Sequence, residues 1–229
     1  FIFKDYKMNF KTAYSFINGT ILSLFMFFSL TSCLPEKMVK SASQENKRWL
    51  FDGSSLDDWT PTDFAGKGEI IIDANGSLVL EMGAELSGVH WKGAPLPVEN
   101  YEIHLQAKRT MGSDFFCGLT FPYKESHATL ILGGWGGSLI GISSIDDFDA
   151  SENETGDAYI FEDNQWYDIR LRVTDSEISV WINEEQVIDC EVEGRKVAMR
   201  FGEIEMSVPL GICTYATTGV IREVLLKRI

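Results

Sequence analysis

The stretch "WYDIRLRVTDSEISVWINEEQVID", residues 166–189, decides the fold class, because its apolar and polar residues alternate one by one. A period of two places neighbouring side chains on opposite faces of a β-strand. The first segment has one apolar and one polar face: Ile169, Leu171 and Val173 against Asp168, Arg170 and Arg172. Two further apolar runs, 177–182 and 185–192, flank residues 183–185 and predict a β-hairpin.

The same kind of pattern continues on both sides of this stretch. Residues 101–109 alternate in the same way, and residues 68–82 form two apolar runs around Asn75-Gly76, which is a strong hairpin signal. Residues 209–229 add two more strands, and no segment keeps a 3.6-residue period over three turns. Short strands separated by turn residues predict an all-β domain, either a β-sandwich or a jelly roll.

The N-terminal residues have the order of a bacterial lipoprotein signal. Lys4, Lys7 and Lys11 precede the apolar run 21–30, which is shorter than the ~20 residues of a spanning helix. Small residues lead directly into Cys33, as in a lipobox. The alternative is an ordinary secretory signal with a coincidental cysteine.

These features predict three regions. They are a signal peptide over residues 1–32, a lipidated Cys33 with a flexible tether over residues 33–47, and a domain over residues 48–229. The expected location is the bacterial cell envelope, with the lipid anchor on the periplasmic side or in the outer membrane. We expect membrane contact through the lipid anchor only.

Charge and cysteine content narrow the class of partner. The formal net charge of −14 opposes electrostatic binding to nucleic acid phosphates or anionic headgroups. If Cys33 carries lipid, the remaining Cys117, Cys190 and Cys213 allow at most one disulfide, and none has the CxxC spacing of a zinc or redox site. The apolar surroundings of Cys117 and Cys213 favour buried free thiols.

Three stretches together resemble the 3-keto-disaccharide hydrolase domain family. They are "WLFDGSSLDDWT" (49–60), the strand and hairpin block 164–189, and the closing segment 210–229. The resemblance spans nearly all of residues 48–229, and the first stretch is its most specific part. It implies a concanavalin A-like (laminin G-like) jelly-roll β-sandwich of two antiparallel sheets, with a carbohydrate ligand or substrate.

The resemblance also implies a reaction. A ketone at C3 of a sugar acidifies the hydrogen on C2, so that a base can remove it while the leaving group departs from C1. Water then adds back, and the net result is hydrolysis. Such a site needs a base, a group that stabilises the enolate oxygen and a proton donor. A direct glycosidase needs instead two carboxylates at ~5–5.5 Å or ~6.5–9.5 Å.

This chain departs from the family pattern in the middle of the domain. Many members carry a Glu-x-Gln-x-x-Asp-like polar strand there, whereas residues 128–142 contain no acid. Six acidic residues follow at once, within residues 143–157. Two hypotheses stay open: a subgroup with a rearranged site, or a domain that binds without catalysing.

A tryptophan with two glycines on each side lies in the middle of the apolar stretch. Gly134 and Gly136 remove side chains next to Trp135, so a ligand can approach the indole and the bare backbone closely. This predicts a platform for a sugar ring. The alternative is a tight hairpin in which Trp135 packs on a neighbouring strand.

Residues 143–157 allow three interpretations. A run of charges is often simply a solvated loop. Calcium near Asp147 and Asp149 is a second hypothesis, although the EF-hand pattern requires glycine where Glu152 stands. In the third, the stretch is the wall of a site, with Asp149, Glu152 and Glu154 as catalytic carboxylates and Asn153 as a substrate-binding amide. No other cofactor is predicted.

The histidines provide further candidates. His90 is a candidate base, and Trp91 beside it is a candidate substrate-binding platform. Strand alternation places the two on opposite faces, so at most one can face a given groove. The alternative for His90 is a residue at the rim of the domain. His104 and His127 do not have a metal-binding spacing, and Asp114 is placed to reach a groove from the start of a strand.

The sequence therefore leaves three functional hypotheses. The first is a lipid-anchored hydrolase acting on glycosides, with 3-keto-glucosides and disaccharides as the expected substrates. The second is a non-catalytic, lectin-like carbohydrate-binding module, and the third is a structural or adhesion domain of the envelope.

Overall fold

Fifteen β-strands between Lys47 and Arg228 build the part of the chain that the computed structural model describes, residues 46–229. They form two antiparallel sheets that pack face to face. This confirms the predicted all-β jelly-roll sandwich. The proposed signal peptide, Cys33 and all but the last residues of the tether lie outside the described residues. Within residues 46–229, no helix is long and apolar enough to cross a membrane.

Eight strands form one sheet, here called the back sheet. Their order is β13-β12-β11-β6-β15-β4-β3, and β1 also pairs with β15. Their bounds are β1 Lys47–Phe51, β3 Ile70–Ile72, β4 Leu78–Leu80, β6 Tyr101–Gly112, β11 Tyr167–Val173, β12 Glu177–Ile182, β13 Glu185–Glu191 and β15 Thr217–Arg228.

Seven strands form the other sheet, here called the front sheet. Their order is β10-β9-β8-β7-β14-β5-β2. Their bounds are β2 Trp59–Pro61, β5 Leu86–Trp91, β7 Cys117–Tyr123, β8 Ser126–Gly133, β9 Leu139–Ser143, β10 Asp157–Ala158 and β14 Gly211–Tyr215.

The opening stretch of the sequence folds as its periodicity predicts. In β11, Ile169, Leu171 and Val173 are all buried, and β12 and β13 pair as an antiparallel hairpin. Asn183 takes the positive φ of 56° that the tight turn requires. The inward side chains of the two sheets form one large core.

The three cysteines in the described residues are free and buried. Burial raises the pKa of Cys190 to about 11 and that of Cys213 to about 12, because a thiolate is poorly solvated there. Burial raises the pKa of Cys117 further. All three therefore remain neutral thiols at pH 7, without the character of a reactive nucleophile.

The front sheet has a second, smaller apolar cluster on its outer face. Leu86, Ile131 and Cys213 point outward from their strands and pack with Phe115 and Ala150. Ala150 belongs to the acidic loop, residues 143–157, which folds back over β9. The outer face of this sheet is thus partly covered by loops, and the uncovered part forms a groove.

Candidate functional site

The groove on the outer face of the front sheet has a volume of about 440 Å³. Leu86, Thr129, Ile131, Ser143 and Tyr215 form the sheet side of this front groove. Loops, the turn Gly134–Gly137 and the 3-10 helix Glu203–Ser207 supply most of its remaining polar and aromatic lining: Asp114, Phe115, Trp135, Asp149, Arg200, Phe201 and Glu203. It therefore combines aromatic surface with carboxylates and one guanidinium, a lining suited to a polar organic ligand.

Trp135 stands on a turn that its neighbouring glycines make feasible. The turn Gly134–Gly137 connects β8 to β9, and Trp135 itself has φ 48° and ψ 50°, in the left-handed region. Gly136 and Gly137 have φ 93° and 105°, values that other residues rarely adopt. The indole remains 47% exposed, so the turn presents it to the groove rather than packing it on a strand.

Arg109 supports this turn from below. Its guanidinium donates hydrogen bonds to the carbonyl oxygens of Phe161, at 2.9 Å, and of Gly137, at 3.3 Å, and it pairs with Asp163 at 2.6 Å. A Cβ atom on Gly137 would lie 2.8 Å from Arg109 Nη1. The close approach of this buried cation is thus a second reason for glycine at position 137.

Asp149 reaches the groove from the acidic loop. Its Oδ1 atom accepts hydrogen bonds from the Ser143 hydroxyl, on β9, and from the Ala150 N–H at 2.8 Å. Its Oδ2 atom accepts from Arg200 Nη1 at 2.6 Å. The carboxylate is only 16% exposed. Three hydrogen bonds therefore hold it in one place above the front sheet.

The position of Asp149 is relevant to the acid that the family pattern predicts on β8 and that this chain lacks. The outward residues of β8 include Thr129 and Ile131, neither of which is acidic, and Thr129 pairs in register with Ser143. Ser143 is the residue whose hydroxyl binds Asp149. The loop thus brings a carboxylate over the pair of strands that has no acid of its own.

Arg200 joins the aromatic and acidic sides of the groove. Its guanidinium carbon lies 5.8 Å from the centre of the Trp135 ring while Nη1 binds Asp149. The ion pair is half-exposed on the arginine side, so solvent screens it in part. Because only Nη1 binds Asp149, the other N–H groups of the Arg200 guanidinium can bind an anionic oxygen.

Asp114 lies next to the tryptophan turn. Oδ1 accepts the N–H of Phe115 at 2.8 Å, and Oδ2 accepts the N–H of Gly136 at only 3.4 Å. Its backbone N–H is bound to the buried Thr217 hydroxyl at 2.9 Å. Asp114 therefore has a fixed backbone and a carboxylate with free lone pairs, unlike Asp149.

The structure places the other acidic-loop candidates outside the groove. Glu152 is exposed and is not part of the lining. Glu154 pairs with Arg195. Asn153 donates to the carbonyl oxygens of Ile142, Phe148 and Asp149 and accepts from Thr155, so its amide stabilises the loop itself. These three side chains do not meet Trp135.

The acids of the loop pair with a basic segment, residues 195–200. Arg195 binds Asp146 and Glu154, and Lys196 Nζ lies 2.6 Å from Asp147 Oδ1. The two segments also exchange backbone hydrogen bonds between Ser144 and Ala198. Within residues 46–229, no three His, Cys, Asp or Glu side chains form a group able to hold a metal ion. Asp147 and Asp149, the residues considered for calcium, bind different cationic side chains instead.

His90 and Trp91 lie on opposite faces of β5, as alternation requires. Trp91 is 3% exposed and packs edge-on against Trp59 in the core, with its N–H bound to the Ala94 carbonyl. His90 points outward but binds the Thr62 hydroxyl at 3.0 Å and does not line the front groove. Burial, and to a lesser degree Lys92, lowers the pKa of His90. The structure brings neither residue to Trp135.

Gly134 and Gly136 also differ in their surroundings. A Cβ atom on Gly134 would lie 2.8 Å from Ile131 Cγ2, so this glycine permits the turn to pack on the sheet. A Cβ atom on Gly136 would meet nothing within 4 Å, and the residue is glycine for its φ. Both shape the turn, and only Trp135 of the turn lines the groove.

The sequence patterns do not predict the part of the groove formed by Arg200, Phe201 and Glu203. These residues lie between β13 and β14, where neither a strand nor a helix period appears. A signal was nevertheless present: "GRKVAMR", residues 194–200, carries three cations in an acidic chain, opposite in sign to residues 143–157. Complementary charge predicts that two such segments pair.

Comparisons with known proteins agree with this architecture. The carbohydrate binding module CBM66 from Bacillus subtilis is 14% identical, with a TM-score of 0.51, and the match covers 74% of this chain and 95% of that one. SCLam, a non-specific endo-beta-1,3(4)-glucanase of family GH16, is 10% identical with a TM-score of 0.52, covering 80% and 92%. The Crh5 transglycosylase is 9% identical with a TM-score of 0.56, covering 80% and 84%. At these identities the likeness shows the fold alone.

No curated protein sequence matches the chain. The sequence profile of the 3-keto-alpha-glucoside-1,2-lyase-like domain matches residues 46–214, well over half of the 229 residues. The matched range includes nearly all of the front groove, from Glu85 to Ile204. The chain therefore belongs to the family of 3-keto-alpha-glucoside-1,2-lyase-like domains, and its function is accordingly carbohydrate-related.

Proposed function

We propose that the domain cleaves glycosides oxidised at C3, 3-keto-glucosides and disaccharides among them, in the front groove. The observation that carries the proposal is the convergence of Trp135, Asp114, Asp149 and Arg200 on one groove of about 440 Å³. Family membership supports the reaction type, because a 1,2-lyase removes the substituents of C1 and C2. Each group has a part in that chemistry.

Trp135 binds the sugar ring. Its exposed indole offers a flat apolar face to the C–H groups of a pyranose, while the carboxylates around it accept hydrogen bonds from hydroxyl groups. Tyr215 on the sheet side and Phe115 in the adjoining loop, whose ring centres are 5.8 Å apart, extend the aromatic surface of the groove. The substrate thus lies between the tryptophan turn and the front sheet.

Arg200 stabilises the enolate oxygen that forms at C3. Asp149 fixes the guanidinium through one N–H, and the remaining N–H groups are available to the developing negative charge. Preorganised donors of this kind supply a large share of catalysis in enolate chemistry. Asp149 therefore acts on the reaction by holding Arg200 in place.

Asp114 is the candidate base at C2. Its carboxylate has more free lone pairs than that of Asp149, and its backbone is fixed next to the tryptophan turn. It takes the C2 proton, the C1–O bond breaks, and a C1=C2 double bond forms. Glu203 and Tyr215 line the same groove and are the two candidates for protonating the leaving group. Addition of water across the double bond completes the hydrolysis.

An activity screen tests the proposal. The purified domain is assayed on 3-keto-glucosides and on the parent glucosides, together with the Asp114→Asn, Asp149→Asn and Arg200→Ala variants. We expect turnover of the 3-keto substrates only, with each variant strongly impaired and Glu152→Gln unchanged. Turnover equal to that of the wild-type domain in all four variants would show that the reaction does not take place in this groove.

A non-catalytic carbohydrate-binding module is the second candidate. The absence of acids among the outward residues of β8, where the family motif is expected, favours it. In that case the domain binds a sugar without turnover, and Trp135→Ala abolishes the binding. Adding Trp135→Ala and a binding assay to the activity screen therefore separates the two functions.

We also propose that the domain is a lipid-anchored protein of the bacterial envelope. The support is the order of basic residues, apolar run and Cys33 at the N-terminus. Metabolic labelling with a fatty acid tests this, using the full chain and Cys33→Ser. We expect label in the former and none in the latter, whereas label in neither would exclude the anchor.

A further inference from the structure

A second groove lies on the outer face of the back sheet, on the side of the sandwich opposite the front groove. Its volume is about 300 Å³, and its walls include Trp49, Asp168, Arg170 and Glu223. None of these residues lines the front groove. We infer that this back groove is a second ligand site, which binds a segment of a neutral oligosaccharide.

An irregularity in β15 places one carboxylate on the wall of the back groove. The pairing of β15 with β6 shifts between Arg222 and Leu225, and Glu223 has a φ of 58° in the left-handed region. Such a conformation is unfavourable for glutamate and persists only where the surrounding structure imposes it. A β-bulge re-aims a side chain relative to the regular strand, and here the residue at the bulge lines the groove.

A network of side-chain hydrogen bonds orders the wall of the back groove before any ligand binds. Arg222 Nε donates to Gln106 Oε1 at 2.5 Å, and Gln106 Nε2 donates to Asp168 Oδ1 at 2.5 Å. Asn183 Oδ1 accepts the backbone N–H of Asp168 at 3.1 Å. Three strands and a turn thus hold the second oxygen of Asp168 at a set place on the groove wall.

The back groove also has an open aromatic surface. Trp49 is 54% exposed, and among the cation–aromatic contacts within residues 46–229 none covers its ring. Arg170, by contrast, stacks on Trp181, with 3.8 Å from its guanidinium carbon to the ring centre. The groove therefore offers one open indole face, while its arginine is fixed by an aromatic neighbour.

The chemistry of the lining selects the ligand. The charged and titratable groups that line the groove are two carboxylates, one guanidinium and one imidazole: Asp168, Glu223, Arg170 and His104. The groove therefore has no excess of positive charge and does not suit a polyanion. It presents both acceptors and donors, since Arg170 and Asn183 add N–H groups. Hydroxyl groups need both, and the C–H face of a sugar ring packs on an indole. The choice of a sugar rests on the carbohydrate-related function; the site itself does not depend on the elimination proposed for the front groove.

Affinity electrophoresis tests the inference on the whole domain. The gels contain soluble neutral glycans: a β-1,3-glucan, a β-1,4-glucan, an α-1,4-glucan and a xylan, with polygalacturonate as the anionic comparison. We expect retardation by at least one neutral glycan and none by polygalacturonate. Trp49→Ala should weaken this binding tenfold or more and leave turnover of a 3-keto-disaccharide unchanged. Trp135→Ala is the matched control, and it should impair turnover and retain most of the retardation.

Glu223→Gly separates a ligand site from a structural irregularity. Glycine relieves the positive φ, so thermal stability should rise, while the loss of the carboxylate should weaken retardation. Stability that rises with unchanged retardation would make the bulge purely structural and would overturn the inference. So would retardation that survives Trp49→Ala, or the absence of retardation in all four neutral glycans. Failure of turnover in the wild-type domain would count only against the function proposed for the front groove.

Discussion

Arg200 Nη1 lies 2.6 Å from Asp149 Oδ2, and this contact joins two loops that are 51 residues apart in sequence. It places a cation over the Trp135 ring and a carboxylate over the strand pair that lacks an acid. The front groove depends on this pairing, because further contacts at Ser144, Asp147 and Glu154 hold the acidic loop against the basic segment.

The first prediction concerns the ion pair itself. Arg200→Ala should lower kcat for a 3-keto substrate by about 10²–10³, the effect of removing one preorganised donor from an enolate or oxyanion site. Arg200→Lys should recover only part of this loss, because an ammonium lacks the planar fork. The measurement is steady-state kinetics. An Arg200→Ala variant with wild-type kcat would show that the guanidinium has no part in the chemistry.

The second prediction compares two tryptophans. Trp135→Ala should raise KM or Kd for the sugar roughly tenfold, the equivalent of about 1.4 kcal/mol, and change the free energy of unfolding little, since the indole is half-exposed. Trp91→Ala should cost about 3–5 kcal/mol in stability, because that indole fills the core. Denaturant unfolding and ligand titration of both variants test the contrast. Equal losses of stability in the two variants would contradict it.

The third prediction concerns the support of the tryptophan turn. Gly137→Ala should destabilise the domain by about 1–3 kcal/mol, since its φ is 105° and the new Cβ would press on Arg109. Arg109→Leu should destabilise it as well, because Asp163 and two carbonyl oxygens lose their donor. Gly194→Ala is the control, with a positive φ of 72° but open space around its Cβ position. In thermal unfolding, Gly194→Ala should lose less stability than Gly137→Ala.

The fourth prediction is a dependence on pH. Two hydrogen bonds to Asp146 hold its pKa below the usual value of 3.8. The larger effect comes from the backbone N–H of Lys196, and the next from the Arg195 guanidinium. A carboxyl with a lowered pKa in the folded state stabilises that state fully above pH 3.8. The contribution is lost as the pH falls through the lowered value. The NMR shift of the Lys196 amide should therefore titrate below pH 3.8, and Asp146→Asn should abolish this titration. A midpoint at or above 3.8 would contradict the arrangement.

Much of the fold was predictable from the sequence, because strand periodicity is local. Alternation over residues 166–173 placed Ile169 and Leu171 inward, and the same argument placed His90 and Trp91 on opposite faces. The candidate site was less predictable because it depends on contacts between distant loops. Nothing near Glu154 or Asn153 in the sequence shows that one binds Arg195 and the other the carbonyls of its own loop.

The position of Asp114 illustrates the same limit. The sequence placed it at the start of a strand but did not place it beside the tryptophan turn, since that contact forms only when β7 and β8 pair. Similarly, the flanking glycines mark Trp135 in the sequence, whereas Arg200 and Glu203 lie in a segment without strand or helix periodicity. The charges of residues 143–157 and 194–200 were the available clue to that part of the groove.

The most direct test of the central claim is deuterium incorporation at C2 of the sugar. The domain converts a 3-keto-disaccharide in D2O, and mass spectrometry of the released 3-keto-glucose is compared with a sample kept with Asp114→Asn, which corrects for spontaneous exchange. Elimination followed by hydration predicts one deuterium at C2 in every product molecule formed by the enzyme. Cleavage that leaves hydrogen at C2 would contradict the account, because it would mean direct glycoside hydrolysis without proton removal at that carbon.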